Sequence, residues 1–335
     1  MSGPAPPPPP PPPPPQAHTR SPSHFTYPLQ TFQSTTDPIT YVVHTSYNPA
    51  SPPPLPGPSS EWTRFVCISD THTQTFDVPD GDVLIHAGDL TGTGRKEQMA
   101  ITGDWLIGMR HPVKIVIAGN HDLPLHDSWY EIPDNKRRFH GKRIENSAEV
   151  RDILTNNHAK AAGIIYLQDE SYTFRVKEGG KEWSVYGSPW QPYFGNWAFN
   201  YRSGEAQALV ANIPEVDILI THGPPRGILD LTIDHSRAGC PALLRHLGRM
   251  ANPPRLHVFG HIHEARGALV HQWDPNPNLD PQAAVSTVDR EGWKETIMVN
   301  AANQPAGAHR MSNQMRVPFG GPGFQPIIVD LLDKP

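Results

Sequence analysis

The sequence predicts an α/β fold in which helices are layered against a sheet that is parallel in one part and antiparallel in another. Three observations predict it. Short uninterrupted apolar runs, Arg64-Phe65-Val66-Cys67-Ile68-Ser69, Asp82 to Ala87 and Val113 to Ala118, have the length and composition of strands buried on both faces. A helical pattern lies between the second and third runs, giving a strand–helix–strand order. Later runs are joined by short polar turns, Gln168 to Ser171 and Lys177 to Lys181 with Gly179-Gly180, that suit antiparallel hairpins.

Residues 1–60 are expected to be a disordered, proline-rich segment, with one globular domain over 61–335. The chain has 335 residues and 40 prolines, with the excess at residues 4–15 and 48–58. The run Pro6 to Pro15 favours polyproline II and cannot join a packed core. Residues 4–15 offer a ligand to a proline-binding module, although a solvated tail is the favoured reading. Within the segment, Ile39-Thr40-Tyr41-Val42-Val43 has the character of an edge strand. The remaining residues, about 275, suffice for one large core.

Beyond the first three strands, a helix is expected over Lys96–Met109, with Ile101, Trp105, Leu106 and Met109 facing inward. Residues 123–145 are polar and irregular. Asn146, with Glu149 three residues on, caps a helix whose inner face is Val150, Ile153 and Leu154. Ile164–Leu167, Tyr172–Val176 and Trp183–Tyr186 follow as strands. The aromatic loop Gly187 to Gly195 either walls a substrate pocket or rigidly covers the core. A helix from Ser203 to Asn212 buries Ala206, Leu209 and Val210, and Val216–Ile220 is a further strand. Cys240, Leu243, Leu244, Leu247 and Met250 share one helix face before the strand Leu256–Phe259. Residues 271–295 carry Pro275, Pro277 and Pro281 and are expected to be a loop insertion. Thr296–Asn300 and Ile327–Leu331 are the last strands, with loop between them.

Five of the strands end in a polar group: Asp70-Thr71-His72, Gly88-Asp89, Gly119-Asn120-His121-Asp122, Thr221-His222-Gly223 and Gly260-His261-Ile262-His263. In α/β sheets ligands gather outside the carboxyl ends of strands. Side chains two apart on a strand share a face, so His261 and His263 can point at one spot. Taken singly, each motif has an ordinary reading: Asp70 caps a turn, Asn120 adopts a left-handed conformation, His222 is a buried, satisfied histidine. The ordered set carries the argument. Carboxylate, imidazole and amide oxygen without thiolate suit Mn, Fe, Zn, Ni or Mg, and Mn is the expected activator in vitro. Two such ions roughly 3.5–4 Å apart share a bridging carboxylate and a bridging hydroxide, which attacks a phosphate ester in line. An acid must then protonate the departing alkoxide.

Other classes find little support. Net charge is −5 with no basic block, so no nucleic-acid footprint is expected. No apolar run approaches the roughly 18 residues of a membrane span, and the N-terminus has no apolar signal region. Cys67 and Cys240 form no motif, and free, reduced thiols in an intracellular, cytoplasmic protein are expected. Thr91-Gly92-Thr93-Gly94-Arg95-Lys96 lacks the spacing of a phosphate loop, and neither H-E-x-x-H nor G-x-S-x-G is present.

In order, from about Arg64 to Leu331, these motifs resemble the calcineurin-like metallophosphoesterases. The resemblance implies two packed mixed β-sheets, a β-sandwich flanked by helices. Arg64 to His72, Tyr186 to Pro192 and Asp217 to Pro225 are most similar to the small metallophosphoesterase-domain proteins, a branch with brain-expressed animal members that have cyclic-nucleotide phosphodiesterase activity. It implies that Asp70, His72 and His263 hold one metal ion, that Asn120, His222 and His261 hold a second, and that Asp89 bridges them. His121 would protonate the leaving group, and Asp122 would orient His121 or a metal-bound histidine. The implied activity is hydrolysis of small nucleotide phosphodiesters, cyclic ones included. The alternatives are a phosphomonoesterase of broad specificity, then a nuclease, and a non-enzymatic metal-binding scaffold, which the intact ligand set disfavours. The same centre would serve a protein phosphatase, a reading that the likeness to the small branch disfavours. Arg226 is a candidate phosphate clamp, although a surface arginine is the simpler reading.

Overall fold

The computed structural model describes residues 31–274, 294–307, 310–312 and 315–334. The proline run at 4–15 and most of the 271–295 insertion lie outside them. In chain order the strands are β1 (Thr31–Gln33), β2 (Tyr41–His44), β3 (Trp62–Ile68), β4 (Val83–Ala87), β5 (Val113–Ile117), β6 (Ile164–Leu167), β7 (Glu170–Phe174) and β8 (Trp183–Ser188). Then come the short pair β9 (Gln191–Pro192) and β10 (Asn200–Tyr201), β11 (Ile218–Thr221), β12 (Leu256–Phe259), β13 (Gly267–Trp273) and β14 (Lys294–Asn300). The short pair β15 (Met311–Ser312) and β16 (Met315–Arg316) precedes β17 (Ile327–Leu332). The helices are α1 (Lys96–Gly108), α2 (Asp127–Tyr130), α3 (Pro133–His140), α4 (Ser147–Thr155), α5 (Asn157–Ala161), α6 (Ala206–Val210) and α7 (Pro241–Leu247). Among the described residues no helix is long and apolar enough to cross a membrane.

Two mixed sheets face each other. One runs β1-β2-β17-β3-β4-β5-β6, and the other runs β13-β14-β12-β11-β8-β7. The blocks β3-β4-β5-β6 and β14-β12-β11-β8 are parallel. Antiparallel strands flank both blocks. Side chains alternate between two apolar layers, which is why the strand runs are mostly apolar, with His86, Lys114 and His257 the buried exceptions in β4, β5 and β12. Phe65 and Cys67 of β3 join Trp183 of β8 and Ile218 and Ile220 of β11 between the sheets. Val66, Ile68, Leu84 and Val116 pack outward against α1 and α4. Leu219, Phe259 and Met298 pack outward against α6 and α7. Phe65 and Trp183 meet edge to face at 5.1 Å, pinning one sheet to the other.

Several expectations are corrected. The sheet takes in part of the front segment. β2 is no edge strand, because it lies between β1 and β17 with Val43 opposite Val329, and Val43 is fully buried. A chain begun at residue 61 is therefore expected to be less stable than one begun at residue 31, by about 3 kcal/mol, since Tyr41, Val42 and Val43 together bury more than one core side chain's worth of surface. Urea unfolding of the two chains measures it, and coincident midpoints would show β2 to be dispensable. α1 keeps most of the expected face inward, with Leu106 buried and Trp105 and Met109 packed half-buried against the same core, but it also buries Met99, Thr102 and Gly103, and Ile101 is 51% exposed. Gly103 decides this, because a Cβ there would lie 2.6 Å from Ile153 Cγ2 of α4. The close approach of the two helices rotates the buried stripe toward Gly103 and leaves Ile101 outside it.

Residues 123–145 hold α2 and α3 rather than irregular chain. Each buries only one or two side chains, Tyr130, Asn135 and His140, so no apolar period announces them. β6 and β7 are not a hairpin, since they belong to different sheets. Asp169 makes the crossing with a positive φ of 57°. Its carboxylate accepts from Ser188 Oγ and Trp190 Nε1, each at 2.7 Å. Where the insertion was expected, β13 and β14 pair from Gly267–Asn300 to Trp273–Lys294, so residues 271–273 and 294–295 belong to strands.

Candidate metal centre

β3, β4 and β5 of one sheet and β11 and β12 of the other end at one place. The backbone leaves them in an unusual way: Asp70, His72, Asp89 and His261 all have positive φ, between 46° and 67°. Such conformations are costly for residues with a Cβ and persist only where the surroundings impose them. Here cross-loop hydrogen bonds do so: Asp70 N donates to Gly88 O at 2.9 Å, and His72 N to Asp89 O at 3.0 Å.

The ligand atoms of Asp70, His72, Asp89 and His263 lie within 4.8 Å of one another. His263 Nε2 is 3.0 Å from Asp70 Oδ1. His72 Nε2 is 3.8 Å from Asp89 Oδ2, and it is buried without a hydrogen-bond partner. On the other side of Asp89, His222 Nε2 lies 3.4 Å from Oδ1 and 3.0 Å from Asn120 Oδ1. His222 Nδ1 donates to Ala87 O at 2.9 Å, which fixes the ring. The His261 ring stands 5.1 Å from the His222 ring. Asp89 therefore faces two groups of donors, one with each carboxylate oxygen.

The electrostatics suit cations. Burial opposes ionisation of Asp70, but the His263 charge, its hydrogen bond and the His222 charge outweigh burial and hold the carboxyl at about 2. Asp89 is likewise held well below its usual value, with burial outweighed by His222 and His121. Burial alone would lower His222, but Asp89 raises it to about 9. Asp70 similarly outweighs burial to raise His263. His72 and His261 go the other way, lowered chiefly by burial to about 4 and about 3. Two buried carboxylates thus draw protons onto two imidazoles and leave two more neutral with free lone pairs. The orphaned Nε2 of His72 and this donor set fit a pair of divalent cations, which would displace those protons.

Gly119 is a tight point of the cradle between its two halves. A Cβ there would lie 2.4 Å from Asp89 Oδ1 and 2.6 Å from His222 Cε1. Gly119→Ala is expected to push these side chains apart and weaken metal binding by about 10–100-fold, as loss of a supporting contact does at metal sites. Calorimetric titration of the folded, metal-free variant with Mn reads this directly, and unchanged affinity would show that the cradle is slack.

His121 sits at the rim. Its N–H donates to Asp89 Oδ1 at 2.8 Å, and its Nδ1 donates to Gly92 O at 2.7 Å. The ring stacks on Trp197 at 4.0 Å and 27°. Asp122 is not its orienting partner. The Asp122 carboxylate accepts instead from Leu90 N, Thr91 N, Thr91 Oγ1 and Gly119 N, at 2.7–3.1 Å. A fully buried carboxylate takes the nearest donors, and here they tie the loop after β4 to the loop after β5. Burial, then the Asp89 charge, raise its pKa to about 6. Arg226 is exposed and donates to Arg237 O at 3.4 Å, which agrees with a surface role.

The aromatic loop is anchored at one end and reaches the centre at the other. Trp190 is tied down onto Asp169, while the Phe194 ring stands 5.6 Å from the His261 ring. Trp197, which stacks on His121, lies two residues beyond the aromatic loop Gly187 to Gly195. The Ala87 and Gly92 carbonyls are backbone groups that no side-chain pattern announces.

Residues 63–265, which include every candidate site residue, match the family model for calcineurin-like phosphoesterases. The chain is 43% identical over 266 residues to metallophosphoesterase domain-containing protein 1 of Homo sapiens, covering 75% of this chain and 74% of that protein. The Mus musculus protein of the same name matches equally. A match of 38% identity over 211 residues, 63% of this chain, reaches the probable rhamnogalacturonate lyase C of Emericella nidulans but covers only 18% of that protein. With its strand-end motifs gathered into one buried centre, the chain belongs to the calcineurin-like phosphoesterase family.

Proposed function

We propose that this chain is a dinuclear-metal phosphodiesterase acting on small nucleotides, cyclic ones included. The observation that carries the reading is Asp89, whose two oxygens face separate donor groups. Asp70, His72 and His263 would hold one ion and Asn120, His222 and His261 the other, with Asp89 shared. When bound, the metal pair supplies charge neutralisation at the phosphoryl group and an activated water. The chain's own residues do the rest. Gly92 O and the Trp197 ring hold the His121 imidazole in place and leave its Nε2 to deliver a proton to the departing alkoxide. Asp122 holds the two loops that carry Asp89 and Asn120 in register. The two buried, unpaired cysteines support a reducing compartment.

The test uses metal-stripped protein titrated with Mn, assayed on bis(4-nitrophenyl) phosphate, 4-nitrophenyl phosphate and cyclic AMP. Mn-dependent turnover favouring the diesters is expected. Preference for the monoester would favour the broad phosphomonoesterase, and Mn binding without turnover of any of the three would favour the scaffold.

A further inference from the structure

We propose that Phe194, on the loop between β9 and β10, is the stacking platform for the base of the nucleotide substrate. The inference rests on the phosphodiesterase reading above and names the part of the substrate that the metal centre itself does not touch. Phe194 is 59% exposed and its neighbour Tyr193 is 56% exposed. Scattered exposed apolar side chains are ordinary, but these two are consecutive and their loop is locked from behind. Phe194 N donates to Asn200 Oδ1 at 3.2 Å. Asn200 Nδ2 donates to Gly195 O at 2.8 Å and to Trp197 O at 3.1 Å. Tyr193 N donates to Tyr201 O at 3.0 Å. Beneath them the buried Gln191 side chain donates to Ala198 O at 2.9 Å. A ring held in this way loses little freedom when a ligand stacks on it.

The two aromatic side chains are not equivalent. Arg202 already lies over the Tyr193 ring, 5.8 Å from its centroid. Phe194 meets the His261 ring at 5.6 Å and 83°, and its exposure leaves most of the ring to a ligand. The same loop reaches the centre twice, through Phe194 at His261 and through Trp197 at His121. A phosphate seated at the centre would thus place a base, one sugar away, within reach of Phe194. A flat aromatic base is the occupant that a single exposed ring beside an anion-binding centre fits. Stacking on one aromatic ring is sequence-tolerant, so the site would accept different bases. A protein partner would need a much larger apolar surface than two rings.

The experiment is calorimetric titration of the Mn-loaded full chain with AMP and with ribose 5-phosphate, for the wild type, Phe194→Leu and Phe194→Trp. Wild type is expected to bind AMP at least about tenfold more tightly than ribose 5-phosphate, the scale of base stacking on an aromatic side chain. Phe194→Leu should erase that preference and leave ribose 5-phosphate affinity unchanged, and Phe194→Trp should keep it. The proposal is overturned if wild type shows no preference for AMP, if Phe194→Leu retains the preference, or if Phe194→Leu weakens both ligands equally. If neither ligand binds wild type, the failure lies with the phosphoesterase reading itself, and the stacking site falls with it.

Discussion

Asp89→Ala is expected to lower Mn-dependent turnover by about 10³-fold or more, the scale on which loss of one preorganised charge-stabilising group acts, and to lower the number of bound metal ions. The carboxylate stands 3.8 Å from His72 Nε2 and 3.4 Å from His222 Nε2, so its removal deprives both halves of the centre at once. The metal-free chain gives a second readout. Burial lowers the His222 pKa, and Asp89 overrides it to reach about 9. A folded pKa raised above its usual value of 6.5 contributes stability that is complete below that value and is lost as pH rises through about 9. Metal-free wild type should therefore lose this contribution between pH 6.5 and about 9, and Asp89→Ala should not show that loss. Urea midpoints at pH 6 and pH 9.5 for both chains, together with metal analysis, make the measurement. Full metal content and ordinary turnover in Asp89→Ala would remove Asp89 from the centre.

His121→Ala is expected to lower cyclic AMP turnover by about 10²–10⁴-fold, the usual contribution of a general acid. Metal content should not change, because the bond from residue 121 to Asp89 uses the backbone N–H, which alanine keeps. The loss should be much smaller with bis(4-nitrophenyl) phosphate, whose leaving group departs without a proton. Equal losses on the two substrates would mean that His121 does something other than protonate.

How much of this was legible depended on the physics behind each feature. The strands were readable because each sheet has a core on both sides: Phe65 and Cys67 face one layer and Val66 and Ile68 the other, so both faces of the run are apolar. The candidate site was readable because Asp70, Asp89, Asn120, His222 and His261 directly follow such runs or stand one glycine beyond them. The division of strands between two sheets was not readable. The turn at Gln168-Asp169 looks like a hairpin, and only the contacts of Asp169 with Ser188 and Trp190 turn it into a crossing. On α1 only Ile101 departs from the expected inner face, because packing against Ile153 rewards the smallness of Gly103, which apolar periodicity does not count. Asp122 was misread because a carboxylate beside a catalytic histidine in sequence points elsewhere in space, to backbone donors at Leu90, Thr91 and Gly119.

The candidate ligands divide between the two layers. Asp70, His72, Asp89 and Asn120 follow strands of the first sheet, and His222, His261 and His263 follow strands of the second. Ions held by both sets would act as rivets through the sandwich. The layers could not slide or part without surrendering them, so resistance to unfolding would rise with the logarithm of free metal concentration. The linkage runs in both directions. Loosening the grip of Phe65 on Trp183, which meet edge to face between the sheets, would then weaken the hold on the ions, and the interlayer core would become a determinant of metal affinity.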